Sequence, residues 1–358
     1  MQAHDIAGVD APIRPLDYPF DTQPEPGTVQ KVAEGIYWTR MPLPFEALGF
    51  INLWLIEDGD GWTIVDTGIR EPKTQAWWNE ILDGFGGSKP IKKVIVTHYH
   101  PDHSGCAGWL CDSRDSELWI SRTEYLICRM YMGGAVEGAE KYAKKWMKSV
   151  GYPDAAMAEM MNRTSGGFSS MVSNLPTHFK RLVDGAHFKI GGRTWQVKVG
   201  RGHAPEHACL YCPSLGVLIS GDQVLPRISS NVSVQMSEPE SDPLSEWLDS
   251  CRSFQKAFPA DTLVLPAHNE PFYGLHSRLQ SLIDGHEDGL EKLIELCRTP
   301  QKPAETFKVL FKREVGSDMF NLAVGEAVAH LNCLIERGLM TKFLGDDGIW
   351  RFETEAHA

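Results

Sequence analysis

Three histidines and an aspartate lie within one short stretch of the sequence: His98, His100, Asp102 and His103. Neutral imidazoles and carboxylates are ligands for Zn²⁺, Fe or Mn²⁺, and a metal site with open positions can lower the pKa of a bound water to about 7. In a chain of 358 residues with 13 histidines, this spacing arises by chance in roughly one chain in a thousand. The motif therefore predicts a metal site.

The residues around this motif predict a loop between a strand and a helix. Residues 92–97 are mainly β-branched and apolar, as in a short buried strand, and the residues after the motif are compatible with the start of a helix. Side chains two positions apart in extended backbone point the same way, so His98 and His100 should face one direction. Asp102 and His103 then turn with the chain to face them.

Further candidate ligands stand at the ends of three other predicted strands. His203 follows the strand-like segment 194–199, Asp222 follows an apolar strand that stops beside a glycine, and His268 ends another buried strand. A backbone can approach a metal closely at glycine, so Asp222 is placed to bridge two ions. Because all these strands end in His or Asp, we expect the ligands to share one rim of a sheet.

The order of these motifs resembles the metallo-β-lactamase superfamily over residues 30 to 275. It comprises His-X-His-X-Asp-His, Gly-His-X-Pro-X-His at 202–207, Gly-Asp at 221–222 and the late His268, and a pair of strands ending in Asp66-Thr67-Gly68 adds to it. The resemblance implies one ion on His98, His100 and His203, a second on Asp102, His103 and His268, and a bridging Asp222 with a shared hydroxide. It also implies that Asp66 braces the metal loop from behind.

The fold implied by the resemblance is α/β (α+β), a four-layer αββα sandwich of two mixed sheets with the metals at one edge. The sequence agrees, because short apolar strands alternate with amphipathic segments at 72–85 and 243–258. We expect an extended arm at 1–27, the metallo-β-lactamase domain at 28–275 and a C-terminal helical unit at 276–358.

An insertion at 122–180 separates the first and second ligand motifs and contains seven of the twelve methionines. Helices are predicted near 122–132 and 136–149, with glycine pairs as breaks. One interpretation is a lid whose thioether and aromatic side chains accept an apolar or acyl group. The other is that the methionines pack helices together or fill a dimer interface, and both stay open.

The C-terminal unit resembles a small winged helix. Its predicted elements are a helix at 275–297, amphipathic segments at 304–312 and 321–337, and a hairpin formed by 338–344 and 349–352. From residue 300 to 358 it carries 7 basic against 9 acidic residues, a net charge of 7 − 9 = −2. We therefore expect a structural unit that shapes the substrate entrance or a homodimer, and not a DNA-binding one.

Composition disfavours several partners. The formal net charge is −12 and no run of Lys or Arg is longer than two, so we expect no nucleic-acid substrate. The chain has no apolar run long enough to span a membrane, and its first residues lack the features of a signal peptide. We expect a protein of the cytoplasm that binds a small molecule.

The site predicts hydrolysis, and the resemblance implies a metal-bridging hydroxide and a substrate that is a carboxylic ester, thioester or lactone with an apolar portion. Asp102 and Asp222 are the candidate catalytic residues, and Asp102 could carry a proton to the leaving group. Two zinc ions are expected, with iron or manganese as alternatives. Tyr99 and His207 could line the pocket or act as donors, and Arg227 could grip a substrate anion or simply pair with a surface acid.

Other functions stay open. The resemblance is to the glyoxalase II-like and lactonase-like hydrolases, although residues 266–272 depart from the pattern of the glutathione-binding enzyme. A phosphodiesterase or nuclease, a mononuclear iron persulfide dioxygenase and a non-catalytic binding protein would share the fold. Metal identity, metal count and turnover distinguish them.

Overall fold

The structure is a computed structural model that describes residues 15–45, 48–133, 139–164, 167–316 and 319–355. In these residues two β-sheets pack face to face, and helices cover the outer face of each sheet. The predicted four-layer α/β fold is confirmed.

The first sheet has its strands in chain order: β1 (Gln30–Ala33), β2 (Ile36–Pro42), β3 (Phe50–Asp58), β4 (Gly61–Val65), β5 (Ile91–Ile95), β6 (Glu117–Ser121) and β7 (Lys180–Leu182). Neighbours from β1 to β4 are antiparallel, and those from β4 to β7 are parallel. In β3 the side chains of Ile51, Leu53 and Leu55 pack under the helices, while Trp54 and Ile56 face the other sheet. This alternation follows from the period of two in a strand and explains why β3 is buried on both faces.

The second sheet has the order β12-β11-β10-β9-β8 and comprises β8 (His187–Ile190), β9 (Arg193–Gly200), β10 (His207–Cys212), β11 (Val217–Gly221) and β12 (Leu263–Pro266). Only β11 and β12 are parallel neighbours among these strands. Between the sheets lies an apolar layer that includes Trp38, Trp54 and Trp195. The packed sheets give a rigid support for the loops at their edges.

The helices are α1 (Pro72–Glu80), which continues into a π-helical turn at Ile81–Phe85, α2 (Pro101–Ser104), α3 (Ala107–Arg114), α4 (Arg122–Met132), α5 (Ala139–Ser149), α6 (Asp154–Thr164), α7 (Gly167–Met171), α8 (Pro243–Ala257), α9 (Leu275–Leu296), α10 (Phe307–Leu310) and α11 (Phe320–Glu336). A 3₁₀ turn at Pro303–Thr306 precedes α10. Helices α1, α3 and α4 pack on the first sheet, α8 packs on the second, and α9 and α11 pack against α8 in the same apolar core. Among the described residues, no helix is long and apolar enough to cross a bilayer.

The insertion holds more helices than the sequence predicted. α4 and α5 match the two predicted helices, although 136–138 of the second one lie outside the described residues. α6 and α7 were missed; α6 begins with Asp154, a favourable charge at a helix N-terminus, and continues with Ala and Met, which are good helix formers. Met157 and Met160 of α6 pack against the core of the C-terminal unit. Part of the methionine-rich surface therefore packs helices together, as one of the two interpretations expected.

The C-terminal hairpin is confirmed by antiparallel strands β13 (Met340–Leu344) and β14 (Trp350–Thr354). α9 and α11 pack together beside it in one apolar core. At the other end of the chain, the predicted arm is described from residue 15 onward, where Asp17 forms an antiparallel bridge with Tyr273. Residues 1–14 of the arm lie outside the described residues.

Candidate metal centre

The loops after four strands carry the predicted ligands to one place. The first loop follows β5, and His203, Asp222 and His268 follow β9, β11 and β12. The donor atoms form two groups, each within 4.8 Å: His98, His100, His203 and Asp222 in the first, and Asp102, His103 and His268 in the second. These are the sets that the resemblance implied, and the sequence-predicted ligands are thus brought together.

In the first group, nitrogen atoms of three imidazole rings converge. His98 Nε2 lies 2.9 Å from His100 Nδ1 and 3.2 Å from His203 Nε2. Asp222 Oδ2 lies 3.3 Å from His203 Nε2. One nitrogen of His98 cannot share a proton with two other rings at once, so this geometry suits a common cation better than a set of hydrogen bonds.

The second group shares Asp222 with the first. Asp102 Oδ2 lies 3.6 Å from His103 Nε2 and 3.4 Å from His268 Nε2. Asp222 reaches the same two rings, with Oδ2 at 3.4 Å from His103 Nε2 and Oδ1 at 3.4 Å from His268 Nε2. The Asp222 carboxylate therefore lies between the two groups, as a bridging ligand would.

Hydrogen bonds among the described residues do not satisfy all the donor atoms of the two groups. In the part of the chain that the structure describes, the buried His103 Nε2 and Asp222 Oδ1 find no hydrogen-bond partner. An unsatisfied buried polar atom is costly, so such atoms mark a strained or ligand-binding site. A mixed imidazole and carboxylate set fits divalent transition metals, and these residues fit a divalent cation in each group.

The protonation states of His98, His100 and Asp222 suit metal binding. Burial and the neighbouring imidazoles lower the pKa of His98 well below its usual value and that of His100 to about 3. Burial alone would raise the pKa of Asp222, but His268 and His103 outweigh it and hold that pKa well below its usual value. Neutral imidazoles and an ionised carboxylate are the forms that coordinate metals. At His103 and His268, by contrast, the carboxylates of Asp102 and Asp222 outweigh burial and raise the pKa of each imidazole, so a metal ion would have to displace their protons.

Backbone carbonyls orient two of the histidines. His203 Nδ1 donates to the carbonyl of Asn231 at 2.7 Å, and His268 Nδ1 donates to the carbonyl of Phe50 at 2.8 Å. A proton held on Nδ1 leaves the Nε2 lone pair free to face the centre. Asn231 and Phe50 escaped the sequence analysis because nothing local indicates which carbonyl a distant histidine will contact.

Asp66 performs the same task with a carboxylate, as the resemblance implied. Its Oδ2 accepts from His103 Nδ1 at 2.8 Å, and its Oδ1 accepts from the backbone N–H of Thr97 at 2.8 Å. Asp66 has a φ of 59°, which turns its side chain from the end of β4 toward the ligand loop. An acid that holds both the ring and the loop backbone fixes the orientation of His103.

Glu124 of α4 is a buried acid that the sequence analysis missed. Its Oε2 accepts from the backbone N–H of Tyr99 at 3.0 Å, and its Oε1 accepts from that of Glu206 at 2.7 Å. The side chain thereby joins the first ligand loop to the loop of His203. Burial raises its pKa to about 7, although these two hydrogen bonds oppose the shift. The signal that the sequence offered was an acid on the buried face of a predicted amphipathic helix.

Asn52 of β3 ties down the loop of His268. Its Nδ2 donates to the carbonyls of Pro266 at 2.8 Å and Asn269 at 2.6 Å, and its Oδ1 accepts from Trp38 Nε1 at 2.9 Å. From the sequence, Asn52 was predicted only to lie in a strand, with no role at the site. The contact joins the first sheet to the strand end on the second sheet that carries a candidate ligand.

His207 and Arg227 lie outside both ligand groups. His207 Nε2 accepts from the backbone N–H of Asp222 at 3.0 Å, so it positions a candidate ligand. Arg227 pairs with Glu270 at 2.9 Å and lies over the ring of Tyr18, 4.5 Å from its centroid. Its guanidinium is therefore engaged by an acid and an aromatic ring. This agrees with the second of the two predicted roles of Arg227, pairing with a surface acid, rather than with binding of a substrate anion.

Comparison with known proteins settles the family. Residues 47–268 match the model of the metallo-beta-lactamase superfamily, and residues 290–355 match the model of the metallo-beta-lactamase-like C-terminal domain. The chain belongs to the metallo-β-lactamase superfamily. It is a metallo-hydrolase of this superfamily, which agrees with the His and Asp groups described above.

Similar proteins align with this metallo-hydrolase over shares of its length that range from 62% to 95%. A solved β-lactamase domain protein from Burkholderia ambifaria is 40% identical with a TM-score of 0.86, over 95% of this chain and 98% of that one. The probable metallo-hydrolase YqjP of Bacillus subtilis is 25% identical over 87% of this chain and 95% of its own. A linear primary-alkylsulfatase of Pseudomonas sp. is 29% identical over 62% of this chain and 42% of its own. An atrochrysone carboxyl ACP thioesterase of Aspergillus fumigatus is 24% identical over 69% of this chain and 45% of its own.

Proposed function

We propose that the enzyme hydrolyses a carboxylic ester, thioester or lactone with an apolar acyl portion, using two divalent metal ions, with zinc as the first choice. The observation that carries this proposal is the pair of donor groups that share the carboxylate of Asp222. The unpartnered atoms of His103 and Asp222 are the ones that two such ions would engage.

His98, His100, His203 and Asp222 would hold one ion, and Asp102, His103, His268 and Asp222 would hold the other. When bound, ions of this kind lower the pKa of water and stabilise negative charge on a carbonyl oxygen.

The protein's own side chains then position the reactants. Asp102 faces His103 and His268 through Oδ2, and we assign it the role of orienting the attacking water and moving a proton toward the leaving group. Asp66 and Glu124 keep the ligand loop in one conformation while the substrate binds. With ions bound, these residues would hold a carboxylate beside a water-activating centre, which is an arrangement suited to hydrolysis.

An aromatic surface beside the first group supports an apolar substrate portion. The ring of Tyr99 lies 4.6 Å from that of His100, and Tyr99 stacks on Tyr131 of α4 at 5.7 Å. Phe168 of α7 extends the surface, 5.4 Å from Tyr131. Met132 of α4 and Met171 of α7 pack in the same apolar cluster as Tyr99 and Phe168. Aromatic and thioether side chains bind acyl chains without fixed hydrogen-bond geometry, so this surface suits an apolar group next to the scissile bond.

A second candidate is hydrolysis of an alkyl sulfate ester. The identity to the alkylsulfatase supports it, and the same aromatic surface would accept the alkyl chain. Both candidates are small molecules, which fits a chain with a net charge of −12 better than a polyanion does.

The experiment is a substrate panel for chelated and zinc-reconstituted protein. It includes an acyl thioester, an aryl ester, a lactone, a β-lactam, an alkyl sulfate and a phosphodiester. We expect zinc to restore turnover of the carbonyl substrates; turnover of the alkyl sulfate alone would favour the second candidate, and turnover of the phosphodiester alone would contradict both.

The aromatic surface is tested with Tyr131→Ala, with Tyr142→Ala as the exposed control on α5. If the surface binds the acyl chain, only the first variant raises KM, and the increase grows with chain length. Equal KM values for both variants would place the substrate elsewhere.

A further inference from the structure

The C-terminal unit holds a second set of metal-ligand residue types, away from the candidate metal centre. Among the described residues, His286 of α9 and Glu326 and His330 of α11 bring one donor atom each within 4.8 Å of the others. All three side chains are buried, with exposures of 3%, 3% and 1%. Glu and His are rarely buried this deeply without a compensating partner, so the cluster needs a physical explanation.

Hydrogen bonds within the chain satisfy only part of this cluster. His330 Nδ1 donates to the backbone carbonyl of Glu326 at 2.8 Å, which leaves its Nε2 as an acceptor, 3.1 Å from His286 Nδ1. His286 Nε2 has no partner in the described structure. The carboxyl of Glu326 accepts from Asn231 Nδ2 at 2.9 Å and makes no hydrogen bond to either ring in the described structure.

The protonation states resemble those of a metal site awaiting a cation. Burial lowers the pKa of His286 to about 3 and that of His330 to about 4, so both rings are neutral at pH 7. Burial also raises the pKa of Glu326 to about 8, because an isolated carboxylate is unfavourable there. A divalent cation would stabilise the ionised form of Glu326 at the release of one proton, while the imidazoles need lose none.

We propose that His286, Glu326 and His330 bind one divalent transition-metal ion, zinc being the best match, in a structural site separate from the candidate metal centre. Two imidazoles and one carboxylate are a donor set of this metal class, and the carbonyl that fixes the His330 tautomer is the usual second partner of a ligating histidine. The positive charge of Arg278 acts on His286, and its guanidinium is engaged by the carbonyls of Leu225 and Ile228.

The ion would cross-link α9 to α11 and act on the neighbouring ligand loop. Asn231 donates to Glu326, and its own carbonyl accepts from Nδ1 of His203 at 2.7 Å. The site therefore stabilises the C-terminal unit at the point where it touches the loop of a candidate catalytic-centre ligand.

The test compares the metal content of Glu326→Gln and Glu336→Gln after equilibration with zinc and removal of excess metal. Gln at 326 keeps an acceptor for Asn231 and nearly the same volume, and Glu336 is an exposed acid on the same helix. We expect Glu326→Gln to bind one equivalent less zinc per chain than Glu336→Gln. Because both variants keep the candidate metal centre, the difference does not depend on how many ions that centre holds.

His286→Asn is the second variant, since His286 contacts neither Asn231 nor His203. It should show the same loss of one equivalent, and a cobalt-loaded sample should lose one set of d–d absorption bands. Equal zinc content in all variants, with a folded circular dichroism spectrum, would overturn the proposal and leave a buried water as the occupant. If Glu326→Gln does not fold, the His286→Asn measurement decides alone.

Discussion

Glu124 offers the sharpest test of how the ligand loops are held. Its carboxylate accepts the backbone N–H groups of Tyr99 and Glu206, at 3.0 and 2.7 Å. Glu124→Ala leaves both donors buried without an acceptor, and each such donor costs about 1–3 kcal/mol. The free energy of unfolding should therefore fall by about 2–6 kcal/mol. Glu124→Gln keeps one acceptor oxygen and should lose about half as much.

The assay is urea unfolding at neutral pH on metal-free protein, followed by zinc affinity on the same samples. Glu291→Gln, an exposed acid on α9, is the control. The account also predicts weaker zinc binding in both Glu124 variants, because the loops of His98 and His203 lose their shared anchor. Unfolding free energies within about 0.5 kcal/mol of wild type for both variants would refute the reasoning.

The remaining predictions concern pH, a glycine and the acid behind the metal loop. Burial raises the pKa of Glu124 from 4.5 to about 7, so the contribution of this side chain to stability is complete below pH 4.5 and is lost as the pH rises through about 7. The difference in unfolding free energy between wild type and Glu124→Gln, measured in urea, should therefore narrow over that range. A constant difference would contradict this prediction. Gly221 has a φ of 51°, and a Cβ there would lie 2.5 Å from the ring of His207. Gly221→Ala should therefore displace Asp222, lower the free energy of unfolding by about 1–3 kcal/mol and cause loss of zinc. Thermal melting and metal analysis measure these two effects. Asp66→Asn removes the charge that orients His103 and should weaken zinc binding about 10- to 100-fold in a competition titration, whereas unchanged affinity would deny Asp66 that role.

The candidate ligands could be predicted to lie together because their signals are local. His98, His100, Asp102 and His103 lie within one loop, and their spacing alone predicts a shared metal site. The later candidate ligands follow apolar strands. A carboxylate or imidazole there does not contribute to the apolar core, so its position indicates a role at the site. Strand and helix patterns also predicted most of the fold, since β3 is a nearly continuous apolar run, as in a strand buried on both faces, and α8 carries the period of 3.6 of an amphipathic helix.

The partners that hold the ligands were not predictable in the same way. Glu124 and Asn52 contact backbone groups far along the chain, and no local pattern indicates which loop will arrive beside them. Asn231 acts through its carbonyl, a group that every residue has. Helix α6 was missed because its sequence offers little amphipathic contrast, and α7 because it has only five residues and begins at Gly167, in a glycine pair predicted as a break.

The most direct test of the central claim is zinc-dependent turnover of an acyl thioester by wild type and Asp222→Asn, with bound zinc measured on the same samples. Asp222 is the residue shared by the two donor groups, so its loss should remove both turnover and at least one equivalent of zinc. Turnover restored by zinc in wild type and abolished in the variant is the predicted result. Equal turnover in the two proteins, or full zinc occupancy of wild type without hydrolysis of any panel substrate, would contradict it.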